Sequence, residues 1–528
     1  MSLIHKSVVL KSRVILISTV LLVLFVPKAV FSFQPPEAPP QASLGTTVRD
    51  VNQDDVDSGK VPVKMGCLVL IVLPDHAGDK AGIQKGDVLM LADGLPIQSM
   101  REFVKAVHSK QPGDEMTVNV IRAGNEMVIP VTLGKLASPA EMVIALRKLS
   151  EAGDADAQAQ LGMRYKAGSG VERDFRKAAE LFQEAANQNN DVGLFGLGAA
   201  YLEGQGVDRD TKKAMEYFVL AAKQGHALAH TNIGYMFANG NGVPKDPKRA
   251  VKWYQMAVEL NEPYALNNLG HCYQTGFGIE KNHDLAIPML QRAVDQGLHL
   301  AETNLAWAYE NGFGVERDYV MAERLYRRAA EKGNSTAQRA IGFFYQNGWG
   351  VDKNYGQAKA WFEKAAAQGH RDALNDLGVM YRNGNGVLKD VKKAVEYYQK
   401  SAELGNAYAQ MNLAGHLEIG EGIEKDVKRA AQLYYKAARA GISNAQVQMG
   451  RIIFEGKGFK QSNAKAMTWF RAAAKQGNID AEAWIGFMFE NGHSVPKDRV
   501  EAIAHYLKAA DQGNAWAKQR LKELGVNR

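Results

Sequence analysis

The sequence predicts two unlike folds in one chain: a small, mainly β α+β domain, then an all-α solenoid of helix-turn-helix units, an α/α superhelix. Three observations predict it. Between about 43 and 135, short apolar runs alternate with turn signals. From residue 154 the chain acquires a period: glycine, or alanine in its place, stands at 162, 198, 234, 270, 306, 342, 378, 414, 450 and 486, always 36 residues apart. Ahead of both lies the Pro-rich stretch "QPPEAPPQA", which reads as an extended linker over 33–42.

The first 32 residues read as an export signal. "MSLIHKSVVLKSR" is basic, "VILISTVLLVLFV" is uncharged, and small Ala29 and Ser32 follow. Thirteen helical residues reach only about 20 Å, short of the roughly 30 Å of bilayer hydrocarbon. A cleaved signal is therefore favoured over a permanent anchor, placing the chain in the periplasm or outside the cell. The formal charge is +7, and Lys6, Lys11, Arg13 and Lys28 all lie in the leader, leaving about +3 for the rest. A nucleic-acid binder needs a concentrated basic face, so that class is excluded. Cys67 and Cys272 are the only cysteines and lie far apart, which excludes a disulfide scaffold.

In the β region, "CLVLIVLP", "DVLMLADGLPI" and "MTVNVIRAGNEMVIPVTL" predict strands, with hairpin turns at Asp93-Gly94 and Gly124-Asn125. One helix is predicted between them: Ser99 caps "MREFVKAVHSK", where Phe103, Val104 and Val107 recur at helical spacing. "SLGTTVRDV" (43–51), "GCLVLIVLPDHAGDKAGIQKGDVLMLADGLPI" (66–97) and "VTLGKL" (131–136) carry a resemblance. Residues 43–136 resemble a PDZ domain of the kind attached to high-temperature-requirement serine proteases and other bacterial envelope proteins, here without the protease domain.

The periodic region follows the frame A-x-x-x-[LIM]-[GA]-x-x-[YFLI]-x-x-G-x-G-V-x-x-D-x-x-x-A-x-x-x-[YF]-x-x-A-A-x-x-G. In one copy, Ala301, Leu305 and Tyr309 share a stripe of the first helix, and Ala322, Tyr326 and Ala329 one of the second. Helices this short cannot bury such stripes alone, so neighbouring copies must stack. The frame closely resembles the Sel-one-like repeat, a relative of the tetratricopeptide repeat, in ten copies over 154–513. "PAEMVIALRKLSEAG", within 137–153, then reads as an N-terminal capping helix, and "AWAKQRLKELG", within 514–528, as a C-terminal one.

No catalytic constellation is legible. "YENGFGVERD" (309–318) could pass for a phosphate loop, but a helix precedes it rather than a strand, and no copy reads G-x-x-x-x-G-K-[ST]. Its glycines are expected to end the first helix and Asp318 to cap the second. G-x-S-x-G and H-E-x-x-H are absent, and "GNST" (333–336) is a loop between repeats. His226 and His230, four apart, read as surface or loop residues rather than metal ligands. No cofactor, no metal and no enzymatic activity are expected.

Two binding sites are predicted. In PDZ domains an apolar-Gly-apolar loop donates amides to a ligand's terminal carboxylate, and the ligand adds a strand to the sheet. The resemblance assigns these roles to Leu44, Gly45 and Thr46, with the strand running through Val48 and with Phe103 and Val107 lining the side-chain pocket. Thr46 departs from the usual apolar residue, which leaves the hydrophobicity of the preferred terminus open. A closed groove, or a domain that only docks on its own solenoid, is the alternative. On the solenoid, the position after the repeat glycine runs Tyr235, His271, Trp307, Phe343, and the position two before it includes Asn232, Asn268 and Asn304. Expected to face groove or solvent, these rows would suit a protein partner; the alternative is packing between repeats.

The resemblances imply a non-enzymatic scaffold of the cell envelope, since Sel-one-like arrays are adaptors in multi-protein complexes. The PDZ groove would take a C-terminal or extended peptide and the solenoid a second protein. The alternatives are a regulatory or substrate-delivery subunit of an envelope protease or peptidoglycan enzyme, and a glycan- or exopolysaccharide-binding solenoid.

Overall fold

The computed structural model describes residues 42–526 except 52–54, 57–62 and 64, so the expected signal and nearly all of the linker lie outside the described residues. The chain forms two compact units, which divide between Leu298 and His299.

The first unit begins with β1 (Ala42–Ser43), β2 (Thr46–Asp50), β3 (Cys67–Val72), helix α1 (Ala77–Lys80), β4 (Val88–Ala92), β5 (Leu95–Pro96), α2 (Met100–His108), β6 (Glu115–Arg122), β7 (Asn125–Thr132) and β8 (Gly134–Lys135). The main sheet runs β2-β3-β4-β6-β7 with β5 on β4, and β1 pairs separately with β8. β2 and β7 are thus its edges. Ser99 caps α2 as predicted, its hydroxyl accepting from the Glu102 amide at 3.4 Å. Asp93 and Gly94 both take positive φ, as a type I′ turn requires. The second hairpin differs from prediction: Arg122 pairs with Asn125, so the turn is Ala123-Gly124. The ladder register fixes it, and Ala123 accepts φ 48° because eight cross-strand pairs hold its flanks.

Next come α3 (Pro139–Glu151), α4 (Ala155–Ala167) and α5 (Phe175–Asn187). α3 opens with a full capping box: Glu141 N–H donates to Ser138 Oγ, and Ser138 N–H to Glu141 Oε2. Paired helices then follow at the repeat spacing to Asp295 in this unit, and from His299 to Glu523 in the second.

Two contacts explain the fixed glycines. The repeat glycine lies beneath the aromatic twenty residues on. A Cβ on Gly234 would stand 2.5 Å from the Tyr254 ring, and one on Gly342 2.5 Å from Phe362. The turn glycines have separate duties. Gly204 and its equivalents end the first helix in the left-handed conformation, φ 69° at Gly204. The second of each pair lies against the preceding repeat's second helix: a Cβ on Gly206 would stand 1.9 Å from Phe175 O, and one on Gly278 2.2 Å from Pro247 O. Asp318 caps its helix as expected, accepting from Val320 and Met321 N–H at 2.9 Å.

Asparagines at the repeat junctions cap and tie at once. Asn406 Oδ1 accepts from Ala409 N–H at 2.7 Å, while its Nδ2 donates to Asp372 of the preceding copy at 2.5 Å. Asn190 and Asp156 repeat the tie at 2.7 Å. His226 and His370 hold the same capping position, their Nδ1 accepting from Ala229 and Ala373 N–H at 3.3 Å. His226 is therefore a half-buried cap in the loop before its helix, in keeping with the loop reading, whereas His230 lies within the helix and is buried, with Nδ1 on His226 O at 3.1 Å. Burial pushes both capping imidazoles below their ordinary value; Arg339 adds to the effect at His370, and Asp191 opposes it at His226. The unfolded chain, titrating near about 6.5, therefore takes protons first as pH falls. Stability contributed by the two caps is complete above that value and lost below it. The urea midpoint is expected to drop between about pH 7.5 and 5.5, and His226→Asn with His370→Asn to flatten the drop.

Buried tyrosines carry a second, testable pattern. Tyr326 donates to Glu310 at 2.8 Å and Tyr506 to Glu490 at 2.7 Å, each acid sixteen residues earlier. At Tyr254 that earlier position is Ala238, and its fully buried hydroxyl has no partner among protein atoms. Tyr326→Phe is expected to cost about 1–2 kcal/mol, whereas Tyr254→Phe is expected to be neutral or stabilising, read from urea midpoints.

Candidate functional site

The sheet domain builds a groove from a strand edge and a helix. Among the described residues β2 pairs with β3 on one side only. α2 starts where β2 ends, its Met100 N–H donating to the Asp50 carboxylate, and it packs beside β1 and β2. At the groove's other end, Gly45 takes φ 70°, and a Cβ there would stand 2.3 Å from His76 Cβ. The loop is pinned twice: Gly45 O accepts from Leu73 N–H at 2.8 Å, and Leu44 O from Gly78 N–H at 2.7 Å.

Leu44, Val48, Phe103 and Val107 are brought together, but inside the domain core, each no more than 7% exposed. Thr46 is half-buried, with its hydroxyl unpartnered. Sequence reasoning missed three participants. Ser43 Oγ accepts from Gly45 N–H at 3.0 Å, His76 packs on the loop, and Asp50 anchors α2. His76 and Asp50 act across chain reversals that only the folded register creates, whereas Ser43 bonds two residues on in a local turn that the family pattern does not mark.

The domain also docks on the first helices of the array. Ile71 and Leu73 share one apolar cluster with Val143, Leu146, Leu161 and Leu181. Lys85 Nζ reaches Asp154 and Asp156 at 2.7 and 2.6 Å. This contact uses the end of β3 and the turn before β4, so docking and a free β2 edge coexist.

The solenoid rows are divided between the two units. In the first, Asn232, Asn268 and His271 are buried, and Tyr235 is half-buried. Burial pushes the His271 imidazole down to about 4, and its Nδ1 has no partner among protein atoms. In the second, Asn304, Trp307 and Phe343 are half-buried. Trp307 meets Phe313 edge-on at 4.9 Å, and Phe343 meets Phe362 edge-on at 5.2 Å beneath the Arg339 guanidinium. The expected exposure to groove or solvent thus gives way to largely covered side chains. Beside them runs a polar ladder: the residue three before one repeat glycine meets the residue two before the next. Arg339 bonds Asp376 at 2.6 Å, and Asn412 bonds Asn375 at 3.0 Å. Where one rung is apolar, its counterpart is stranded: Asn232 Nδ2 follows Phe195, and Thr303 Oγ1 precedes Ala340.

Both cysteines are buried free thiols, pushed up to about 12 by burial. Among the described residues no group of three or more His, Cys, Asp or Glu is placed to hold a metal, and no helix is long and apolar enough to cross a membrane.

Comparison with known proteins follows the same division. The PDZ domain model matches residues 42–133, and the Sel1 repeat model matches ten consecutive segments between 155 and 514. A probable periplasmic serine endoprotease DegP-like of Ectopseudomonas mendocina is 34% identical over 93 residues, 18% of this chain and 20% of that protein. The periplasmic pH-dependent serine endoprotease DegQ of Escherichia coli is 28% identical over 90 residues, 17% of this chain and 20% of its own length. The chain thus spans about a fifth of the curated relatives it matches. Among solved structures, c5321, a protective antigen of uropathogenic Escherichia coli with an SLR fold, is 32% identical, covers 74% of this chain and 84% of its own, and has a TM-score of 0.51. A Sel1 repeat protein from Oxalobacter formigenes is 32% identical, with 47% of this chain and 99% of its own covered, at a TM-score of 0.42.

Proposed function

This chain belongs to the Sel1 repeat family and carries a PDZ domain ahead of its repeats, and from that premise we propose that it is a non-enzymatic adaptor of the cell envelope. PDZ domains and Sel1 repeats are both protein-interaction modules. The groove between β2 and α2 takes an extended peptide, and the repeat face of the second unit around Trp307 and Phe343 takes a second protein. The observation that carries this reading is the one-sided pairing of β2, left open beside α2 while the domain docks on the repeats elsewhere. A peptide adding there gains main-chain hydrogen bonds without disturbing the core. Export to the periplasm, or secretion, is supported by the apolar N-terminal run and by the periplasmic relatives of the PDZ region.

A second reading, a substrate-delivery subunit of an envelope protease, is favoured by the DegP-like and DegQ matches. In that reading the groove holds the tail and a separate chain cuts it.

The test is retention of a synthetic decapeptide pool on the immobilised chain. Gly45→Glu places a bulky side chain against His76 at a positive-φ position and is expected to cut retention at least about tenfold. Equal retention by the variant would remove the groove from the proposal. Recovery of one hydrolase at fixed stoichiometry from an envelope extract would select the delivery reading over the general adaptor.

A further inference from the structure

The central amide of the carboxylate end of the groove is already satisfied from within. A free C-terminus needs amides of the glycine loop, and the Gly45 N–H donates instead to Ser43 Oγ at 3.0 Å. The loop has little freedom to offer that amide elsewhere, because the Gly45 and Leu44 carbonyls are held by Leu73 and Gly78 N–H. The residues that would frame a pocket for a terminal side chain are packed into one another: Leu44 at 2%, Phe103 at 4%, Val107 at 4% and Val48 at 7% exposure. What stays available is the outer edge of β2, Thr46–Asp50, which offers main-chain groups and no end-group recognition. Of the residues described after β2, Asp55 pairs with Arg49, and Val56 and Val63 pack with Leu68, Val88 and Ile121.

We infer that the groove selects an internal extended segment of a protein partner rather than a free carboxyl terminus, with Ser43 standing in for the terminal carboxylate. This rests on the reading of β2 and α2 as a peptide groove. An internal segment contributes no end charge, so losing the Gly45 amide costs it nothing. A free terminus must displace a bonded hydroxyl and bring its charge into a loop whose amide is occupied. Ser43 is a specificity-determining residue here, since its removal frees the donor without touching the strand edge.

The experiment uses the full chain and two synthetic decapeptide pools of identical composition, one ending in a free carboxylate and one in a carboxamide. The wild-type chain is expected to retain both within about twofold, and Ser43→Ala to retain the carboxylate pool about fivefold or more over the carboxamide pool. A wild-type preference of about tenfold for the carboxylate pool would overturn the inference. So would a Ser43→Ala chain that stays indifferent to the end group. Failure of both proteins to retain either pool would instead defeat the groove reading on which the inference stands, and the two failures are thereby told apart.

Discussion

Gly206→Ala is expected to cost about 3–5 kcal/mol, among the largest losses any single methyl could cause in this chain. Two terms add. The residue sits at φ 77°, where a β-carbon is penalised by about 1–2 kcal/mol. The new carbon would also lie 1.9 Å from Phe175 O, a backbone atom that cannot swing aside as a side chain could. The control is Gly297→Ala, at φ 85° with nothing within 4 Å of the new carbon. It carries the strain without the clash and should lose only about 1–2 kcal/mol. Urea denaturation of the two variants checks this: equal midpoints would show that the approach of neighbouring repeats at this turn does not matter. Because each repeat contacts its neighbours, the loss should also broaden the transition by uncoupling repeats.

Phe362→Ala is expected to cost about 3–5 kcal/mol. The ring is fully buried, lies over Gly342, and receives the edge of Phe343 at 5.2 Å. Glycine beneath it means no side chain can move in to fill the space, so the cavity persists and the cost falls in the upper range. Hydrogen exchange should show the loss concentrated in the helices Ser335–Asn347 and Tyr355–Ala367, with fast exchange there before global unfolding. Uniform exchange across the second unit would contradict nearest-neighbour stabilisation.

The repeats were legible because their physics is local and repeated. A glycine ending a helix, an aspartate capping the next and an aromatic twenty residues after a glycine each leave a mark, and ten copies multiply it. Register alone gave the helix order and the role of Asp318. The tyrosine pattern went unread, although Glu310 and Ala238 stand at one repeat position before Tyr326 and Tyr254.

The groove was only half legible. Its glycine loop and strand follow from the PDZ resemblance, but the resemblance could not say that Leu44, Val48, Phe103 and Val107 close on one another. Nor could it place Ser43 on the Gly45 amide, because that bond depends on the rotamer of Ser43 and on the positive φ of Gly45. The row of aromatics and amides was visible as a pattern, yet its exposure was not. Whether Trp307 faces a partner or Phe313 depends on the spacing between packed helices, which no single-helix pattern encodes.

The sequence by itself therefore determined the period, the two domain types, the helix ends and the lack of any recognisable catalytic motif, all consequences of short-range backbone preference and side-chain spacing. Only the tertiary structure decided why nine of the ten turns carry a second glycine, which polar rungs find partners, where the PDZ domain rests on its array, and which amide of its groove is already taken. All but the last are contacts between residues far apart in the chain. They are settled by packing distances of a few tenths of an ångström, and a sequence read in one dimension carries no such distances.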